Sequence, residues 1–264
     1  MRPSGSLRPR PPSPRTRLLV LGGVLLLTLT ACSSDELPTF AMPERDATDQ
    51  APRILSLWQG SWIAAFAVGI ITWALILWPV VAHRRKRDST GLPPQTRYNL
   101  PIEVLYTVVP FIMIAVFFYF TARDEDIIMR TSANPDHEIT VTGIQWSWQF
   151  TYESDGGATT TGTTGKPPTL VLPEGESVQF TLVSDDVIHS FWVPAFLFKM
   201  DVIPGQDNTF EITPTKQGTF KGKCAELCGQ DHARMLFDVE VVSPSEFDQA
   251  VADLAARNEQ GIEQ

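Results

Sequence analysis

Two long apolar stretches without a charged residue constrain the fold of this chain more than any other feature. One stretch covers residues 54–82 and the other covers residues 104–122. At a rise of about 1.5 Å per residue, a helix of either length matches the hydrocarbon layer of a bilayer, which is about 30 Å thick. We therefore predict a membrane protein with a two-helix transmembrane hairpin over residues 54–122.

The loop between the two stretches, residues 83–99, indicates how the hairpin is oriented. It contains five basic residues, namely Arg84, Arg85, Lys86, Arg87 and Arg97. A basic cluster could instead contact nucleic acid or another protein. Its position directly after an apolar stretch favours a topological role, because basic loops stay in the cytoplasm. We expect a multi-pass protein of the plasma membrane with both termini extracytoplasmic and no nucleic-acid partner.

The N-terminus has the pattern of an export signal. Arginines without any acidic residue precede an apolar segment over residues 18–29, which ends in Leu29-Thr30-Ala31-Cys32. An apolar segment of about a dozen residues is too short to span a bilayer. We predict a lipoprotein-type signal peptide over residues 1–31 and lipid attachment at Cys32. A plain signal peptide with a coincidental cysteine is the alternative. Residues 32–53, which are polar and contain prolines, are predicted to be a tether.

From about residue 138 the hydrophobic pattern changes to the period of two that is typical of strands. Alternating apolar residues occur in four runs: Ile139 and Val141; Val178, Phe180 and Leu182; Phe210 and Ile212; Phe237, Val239 and Val241. Short strands separated by Gly, Pro, Asn and Asp predict an extracytoplasmic β-sandwich or barrel over residues 123–242. The low-complexity segment 155–166 is expected to be a flexible excursion between strands, with no function assigned to it.

The tail, residues 243–264, carries a helix signal. It begins with Ser243-Pro244-Ser245-Glu246, which is a capping box with proline at the first helical position. Phe247, Val251 and Leu254 then fall on one helical face. We predict a C-terminal helix that packs on the sandwich, which makes the fold class that of an α+β membrane protein.

The charge on the outer side of the membrane is strongly negative. With the signal peptide, the cytoplasmic loop and the edge of the second span set aside, 28 acidic residues stand against 11 basic ones, a net charge of −17. Such a field attracts and steers a basic partner. An acidic surface that only keeps the domain soluble is the alternative, and charge alone does not separate the two.

A cluster of soft metal ligands lies within twelve residues near the end of the chain. Cys224, Cys228, His232 and Met235 have the spacing C-x3-C-x3-H-x2-M. Thiolate and thioether ligands select copper, and imidazole also suits this metal. A disulfide, which is natural outside the cytoplasm, and a zinc site are the alternatives. A structural zinc site, however, has no use for a methionine.

The cluster needs a second imidazole, and the chain has four histidines. His83 lies in the cytoplasmic loop. His137 precedes the first predicted strand and is expected to be a surface histidine. His189 lies in an apolar run after a strand, where a histidine is often only packed. Because it is the only candidate on the same side of the membrane that lies in so apolar a run, we predict that His189 is a ligand.

The motif C-A-E-L-C-G-x-x-H-x-x-M at 224–235 and the upstream H-S-F-W-V-P at 189–194 resemble subunit II of the haem-copper cytochrome c oxidases. The resemblance covers about residues 54–242. It implies that the hairpin carries a cupredoxin domain with a binuclear copper A centre. The implied copper ligands are the bridging thiolates of Cys224 and Cys228, the imidazoles of His189 and His232, and, as weak ligands, Met235 and the carbonyl of Glu226.

Three further segments carry the resemblance. Gln145-Trp146-Ser147-Trp148 is similar to the family's aromatic patch, which implies that Trp146 receives the electron; a packed aromatic pair is the alternative. Within the metal motif already described, the Glu226 side chain is implied to help hold magnesium or manganese at the interface with subunit I.

Glu103, within 100–110, would lie near the mouth of a proton path, although an acid at a helix N-terminus is also favourable by itself. Residues 199–205 match a segment that supports the metal site.

The resemblance also implies a function and partners. Electrons from a c-type cytochrome, either soluble or part of a bc1-type supercomplex, would enter an aa3-type oxidase at copper A. They would pass to haem in subunit I, where oxygen reduction is coupled to proton pumping, with subunit III alongside. The chain has no C-x-x-C-H haem motif and is not expected to be active alone.

Two rival functions come from other classes of protein. The related quinol oxidase subunit shares the fold but lacks the copper ligands. A copper-storing or copper-delivering lipoprotein would explain Cys32 and the soft ligands, but not the two spans, Trp146 or Glu103. A nitrous-oxide-reducing enzyme also carries copper A, on a much longer soluble chain.

Overall fold

The two apolar stretches form two long helices in a computed structural model of the chain, which describes residues 42–43, 46–84, 91–92 and 95–260. Helix α1 spans Ala51–Ala82 and helix α2 spans Leu100–Ile128. With 32 and 29 residues they are about 48 and 44 Å long, so each exceeds the hydrocarbon layer by more than 10 Å. The predicted hairpin of residues 54–122 is too short at both ends, because α1 begins at Ala51 and α2 ends at Ile128. The signal peptide, Cys32 and most of the basic loop cluster lie outside the described residues.

The apolar surface of both helices is exposed in the isolated chain. The most apolar window of each helix has a mean hydropathy of 2.2, and none of it is buried. Such a surface needs hydrocarbon or another protein to cover it. This excludes the helices as core elements of a soluble domain and agrees with the predicted membrane protein.

The start of α2 is capped as its sequence suggests. Asn99 is the N-cap, and its side chain accepts a hydrogen bond from the backbone of Ile102. Glu103, four residues after the cap, accepts a hydrogen bond from the Asn99 backbone at 3.0 Å, a contact similar to that of the N3 acid in a capping box. Pro101 lies in the first turn, where the missing N–H costs nothing.

The end of the hairpin where α1 begins and α2 ends is tied together and to the β domain. Asp124 is buried and accepts hydrogen bonds from Arg53 at 3.3 Å and Arg123 at 2.7 Å. Just before α1, Asp49 pairs with Thr213 through two hydrogen bonds of 3.0 Å. The predicted tether of residues 32–53 therefore ends in residues that are packed on the domain, because Ala47 and Thr48 are fully buried there.

The β domain contains ten strands and ends in a third helix. The strands are β1 His137–Ile144, β2 Ser147–Tyr152, β3 Ala158–Thr161, β4 Thr169–Pro173, β5 Val178–Ser184, β6 His189–Val193, β7 Phe198–Val202, β8 Asn208–Ile212, β9 Gly218–Cys224 and β10 Leu236–Val242, followed by helix α3 Pro244–Glu259. Short 3-10 turns, Pro194–Phe196 and His232–Arg234, precede β7 and β10.

The strands form two five-stranded sheets packed face to face. The first sheet has the order β3-β2-β1-β5-β8 and the second has the order β4-β10-β9-β6-β7. The pairs β1–β5 and β4–β10 are parallel and the other pairs are antiparallel. All the apolar residues predicted to alternate inward are buried between the sheets. Phenylalanines from both sheets stack there, with Phe180 and Phe210 at 4.9 Å and Phe191 and Phe237 at 4.8 Å. The predicted sandwich and fold class are confirmed.

Helix α3 closes one side of the sandwich. Ser243 and Glu246 form the predicted capping box, and Phe247, Val251 and Leu254 are buried. The helix packs against β3 and β4. The helix signal in the tail is therefore confirmed in both its start and its buried face.

Two expectations about local structure are wrong. The segment 155–166 is not a loose excursion, because it contains β3, which pairs with β2 and is bonded to Asn258 of α3. His137 is not a surface histidine. Its ring is buried against Phe247, with Nε2 2.8 Å from Glu176 and Nδ1 3.3 Å from Asp155. Both errors involve partners that lie far away in the sequence.

Candidate metal centre

Three strands of the second sheet bring the soft ligands together. Cys224 is the last residue of β9 and Met235 immediately precedes β10, which pairs with β9 as an antiparallel neighbour. A hydrogen bond of 3.0 Å from the Cys224 backbone to the Met235 carbonyl closes the loop between them. His189 begins β6, which lies on the other side of β9 with Phe191 opposite Cys224. The two segments that were 35 residues apart in sequence thus converge at one end of the sheet.

The two sulfur atoms of the centre face each other without a bond. Cys224 Sγ and Cys228 Sγ are 3.8 Å apart, whereas a disulfide needs about 2.05 Å. Both cysteines are free and buried. The disulfide alternative is therefore not formed here, and the pair is available to bridge metal.

Each sulfur has its own nitrogen donor. His189 Nδ1 is 3.9 Å from Cys224 Sγ, and His232 Nδ1 is 3.6 Å from Cys228 Sγ. The Met235 thioether, fully buried, lies 3.7 Å from Cys228 Sγ. On the other side the Glu226 carbonyl oxygen lies 3.2 Å from Cys224 Sγ. The six donors therefore form two similar halves around the sulfur pair.

The chemistry of these donors fits copper. The side chains of His189, Cys224 and Cys228 already have their donor atoms within 4.8 Å of one another. Two thiols, two imidazoles and a buried thioether form a soft donor set, which selects copper over the hard cations. A four-ligand zinc site would leave the buried thioether without a role. The residues present fit a thiolate-bridged copper centre.

The two thiols differ in their acidity. Burial alone would raise the pKa of the Cys224 thiol, but the His189 imidazole and the adjoining backbone outweigh burial and lower the pKa to about 6. Burial raises the pKa of Cys228 to about 12, and the negative charge on Cys224 adds to the effect. The metal-free pair therefore retains one proton at neutral pH, and metal binding must displace it.

Asp186 is a functional residue that the sequence analysis missed. Its Oδ1 lies 2.8 Å from His189 Nε2, and the imidazole side chain is fully buried. Burial lowers the pKa of His189, but the hydrogen bonds with Cys224 and Asp186 raise it by more. A carboxylate on Nε2 orients the ring so that Nδ1 faces the sulfurs. The only available signal was an acid three residues before the predicted ligand.

Asp186 also connects the ligand to the turn that carries Trp146. Its Oδ2 accepts a hydrogen bond of 2.6 Å from the Gln145 backbone. The Gln145 side chain donates to the Cys228 carbonyl at 2.7 Å, and Trp146 Nε1 donates to the same oxygen at 3.3 Å. Half-buried Trp146 therefore contacts the metal loop directly. The turn is held at two points, one on each ligand-bearing segment.

Glycine is required where the first sheet approaches His189. A Cβ at Gly143 would lie 2.8 Å from His189 Cδ2, which is closer than real contacts allow. Gly229 has a φ of +129°, and a Cβ there would lie 3.0 Å from Trp146 Nε1. The backbone thus comes close to the ligand and to the tryptophan at positions where a side chain would displace them.

The remaining predicted site residues lie apart from this centre or outside the described range. The Glu226 side chain is exposed although its carbonyl faces the centre. Glu103 lies at the start of α2, and its carboxylate accepts the hydrogen bond from Asn99 that caps the helix. This contact supports the favourable helix-terminus role that was the alternative for Glu103. Cys32 lies outside the described residues.

Sequence comparisons identify relatives along the whole chain. The family model described as cytochrome C oxidase subunit II, periplasmic domain, matches residues 165–242. A protein of Streptomyces coelicolor described as a "probable cytochrome c oxidase subunit 2" is 49% identical, over 99% of this chain and 94% of that protein. The cytochrome c oxidase subunit 2 of Mycobacterium tuberculosis is 36% identical, over 87% of this chain and 79% of that protein.

A solved structure is similar to about half of the chain. It is the crystal structure of the periplasmic domain of subunit II of cytochrome oxidase from Bradyrhizobium japonicum. The match has 33% sequence identity and a TM-score of 0.45, and it covers 48% of this chain and 99% of that one.

Proposed function

Because the chain belongs to the family of cytochrome c oxidase subunit II, we propose that it is the subunit through which electrons enter an aa3-type oxidase. The donor is a c-type cytochrome, either soluble or held in a bc1-type supercomplex, and the acceptor is haem in subunit I. The observation that carries the proposal is the buried sulfur pair, 3.8 Å apart, with an imidazole nitrogen within 4 Å of each sulfur. Oxygen reduction and proton pumping occur in the partner subunits.

The ligand set proposed for the centre is that of binuclear copper A. Its members are Cys224, Cys228, His189, His232, Met235 and the carbonyl of Glu226. Two copper ions bridged by the thiolates would share one electron, so that reduction changes the charge on each ion by only half a unit. The chain contributes a rigid frame, because His189, Cys224 and Met235 lie at the ends of paired strands and Asp186 holds the second nitrogen of His189.

Trp146 is proposed as the point where the electron arrives. Its indole is half-buried and donates to the carbonyl of a ligand residue, Cys228, at 3.3 Å. The neighbouring Gln145 is bonded to Asp186 through its backbone and to the Cys228 carbonyl through its side chain, and these two hydrogen bonds fix the turn that carries the Trp146 ring. The strongly acidic outer face would attract a basic region of the donor and orient it over the ring.

Copper loading of the full-length chain in detergent tests the metal centre. A seven-line mixed-valence EPR spectrum is expected, and a four-line spectrum of a single copper would refute the binuclear proposal. Met235→Leu should change the hyperfine splitting because it removes one of the six donors. Met200→Leu is the matched control, since Met200 is half-buried against the same core but is not a donor to the centre.

Kinetics of cytochrome c oxidation test the electron route. In the assembled oxidase, Trp146→Leu should slow oxidation of reduced cytochrome c while the EPR spectrum stays unchanged. Rising ionic strength should slow the reaction with a basic cytochrome, because screening weakens the attraction. A rate that is independent of salt would refute the attraction of the donor by the acidic surface. Unchanged kinetics of the Trp146→Leu variant would refute the role of Trp146 in electron entry.

Two further roles, one for Glu226 and one for Glu103, are proposed towards the partner subunits of the oxidase. The exposed Glu226 carboxylate is a hard ligand, suited to magnesium or manganese at the interface with subunit I. Glu226→Gln should then abolish a protein-bound manganese EPR signal in the assembled oxidase. Glu103 is proposed to lie near the mouth of a proton path, and Glu103→Gln, which keeps an acceptor for the helix cap, should lower proton uptake at constant copper content.

The proposed topology and processing can be tested on the cell. We propose that the 83–99 loop is cytoplasmic, that both termini are extracytoplasmic, and that cleavage after residue 31 leaves a lipid on Cys32. Mass spectrometry of the mature N-terminus should find a diacylated peptide that disappears in Cys32→Ser. A membrane-impermeant thiol reagent should label a single cysteine placed near the C-terminus in intact spheroplasts.

A further inference from the structure

One face of the β domain carries a basic and aromatic row that the proposed function does not use. The outer face of the second sheet presents Lys199 on β7, Trp192 on β6, Lys223 on β9 and Leu236 on β10. Trp192 is the direct cross-strand partner of Lys199 and of Lys223, and Lys223 is the direct partner of Leu236. Directly opposed residues share a face of the sheet. The four side chains therefore form a continuous row across four neighbouring strands.

The charge of this row is unusual for the domain. The chain has six lysines, and three of them, Lys199, Lys221 and Lys223, lie on this face of a domain whose outer charge is strongly negative. Lys221 is neutralised by Asp238 at 2.7 Å. Lys199 and Lys223 are exposed, and among the described residues neither forms an ion pair with a carboxylate.

The row is already arranged for contact. The Lys223 ammonium lies 4.5 Å from the centroid of the Trp192 ring, a cation–π contact that holds both side chains. A lysine ammonium has three donors and no acceptor, so this contact leaves its hydrogen bonds available. Side chains that are already ordered lose less entropy when a partner binds.

An apolar hollow lies beside the row. A cavity of about 280 Å³ is lined by apolar residues and Gly222, namely Pro167, Pro194, Gly222, Leu236 and Phe237, and by the charged residues Lys221, Lys223 and Asp238. Leu236, at the edge of the cavity, is 42% exposed. Aromatic and apolar anchors with cations around them are the composition of a protein contact surface, in which opposite charges fix the register.

We propose that this row, Lys199–Trp192–Lys223–Leu236, is a docking surface for an acidic region of another protein in the oxidase assembly. Carboxylates of the partner pair with the Lys199 and Lys223 ammonium groups, and an apolar side chain fills the hollow beside Leu236. The surface is continuous with the metal loop, because Lys223 precedes Cys224 and Leu236 follows Met235. The docked protein therefore lies directly beside the centre. The docking proposal does not depend on which metal the centre binds.

Lysine footprinting on the assembled oxidase tests the proposal. Acetylation with a sulfosuccinimidyl ester, followed by mass spectrometry, is compared between the assembled oxidase and the isolated chain. Lys199 and Lys223 should react at least about tenfold more slowly in the assembly, as expected for a desolvated interface centre. Lys216, whose ammonium lies 3.7 Å from Asp46 of the same chain, is the internal control and should react equally in both.

Carbodiimide cross-linking identifies the occupant. The reagent should join Lys199 or Lys223 to an Asp or Glu of another chain, and Lys223→Glu should dissociate that chain at lower salt than Lys216→Glu does. Equal acetylation rates in both states would overturn the proposal, as would protection without such a cross-link. Vesicles of neutral and of anionic phospholipid test the other possible occupant of the surface, a layer of lipid headgroups. Protection of the isolated chain by anionic vesicles alone would assign the row to lipid headgroups instead.

Discussion

Replacing Asp186 by asparagine isolates the contribution of one carboxylate to the metal centre. Asp186 Oδ1 lies 2.8 Å from His189 Nε2 and 2.6 Å from the Val187 backbone nitrogen, and Oδ2 accepts from Gln145 at 2.6 Å. Three donors therefore share two oxygens. Asparagine has the same shape but one oxygen only, and its amide nitrogen is itself a donor. In either orientation of the amide, at least one of the three donors loses its acceptor.

The size of the effect follows from burial. In either orientation the negative charge beside His189 Nε2 is lost. Where the amide nitrogen faces the ring, Nε2 also loses its acceptor, and water cannot replace it because the His189 side chain is fully buried. A buried donor left without a partner costs about 1–3 kcal/mol, and this amount should appear as a loss of unfolding free energy in the metal-free chain. Loss of an outer-shell partner of a metal-binding histidine typically lowers metal affinity about 10–100-fold, or about 1.4–2.7 kcal/mol.

The assay combines two measurements on the full-length chain in detergent. Competition with a copper(I) chelator gives the relative affinity, and thermal unfolding of the metal-free chain gives the stability. Asp185→Asn is the matched control, because it removes the same charge from the neighbouring exposed residue, which makes no hydrogen bond among the described residues. If Asp186→Asn binds copper within about twofold of Asp185→Asn, Asp186 does not orient the ligand, since the outer-shell effect should be at least about tenfold.

Three other outcomes are expected. Copper loading at pH 7 should release at least one proton per site, because the pKa of Cys228 is raised to about 12 while that of Cys224 is lowered to about 6. An indicator-dye titration without proton release would contradict this expectation. The affinity for copper should also fall as the pH drops through 6 and Cys224 becomes protonated. Gly143→Ala should weaken copper binding and lower stability by about 1–3 kcal/mol, because its Cβ would collide with His189; unchanged chelator competition would refute the close approach. Ser243→Ala should lower the unfolding free energy by about 1 kcal/mol through loss of the helix cap, with copper affinity as the unaffected control, since α3 packs on β3 and β4, which carry no ligand.

Local patterns were sufficient for the elements that depend on neighbours in the sequence. The two helices, the alternating strands and the capped C-terminal helix were all predicted, because burial at period two or 3.6 leaves its mark within a few residues. The boundaries were less accurate. Both membrane helices extend past their apolar stretches, since polar contacts that hydrophobicity does not record stabilise their ends. Arg53 near the start of α1, for example, pairs with Asp124 near the end of α2.

The errors arose where a residue depends on a distant partner. His137 was expected at the surface, but Glu176 and Phe247 cover it. The segment 155–166 has the composition of a loop, yet β3 forms inside it because β2 and α3 offer it hydrogen bonds and a surface. Composition cannot show either contact, because each partner lies elsewhere in the chain.

The metal loop itself was determined by the sequence, since four donors within twelve residues at 224–235 leave little freedom in where they point. Only the tertiary structure decided how that loop is completed. The β5–β6 turn places Asp186 between His189 and Gln145, and the strand order β7-β6-β9-β10 assembles the row from Lys199 to Leu236. The physical reason is that strand register is set by the packing of the whole core. A spacing in the sequence can therefore specify a ligand, whereas the neighbours that orient and surround that ligand exist only once the two sheets have packed.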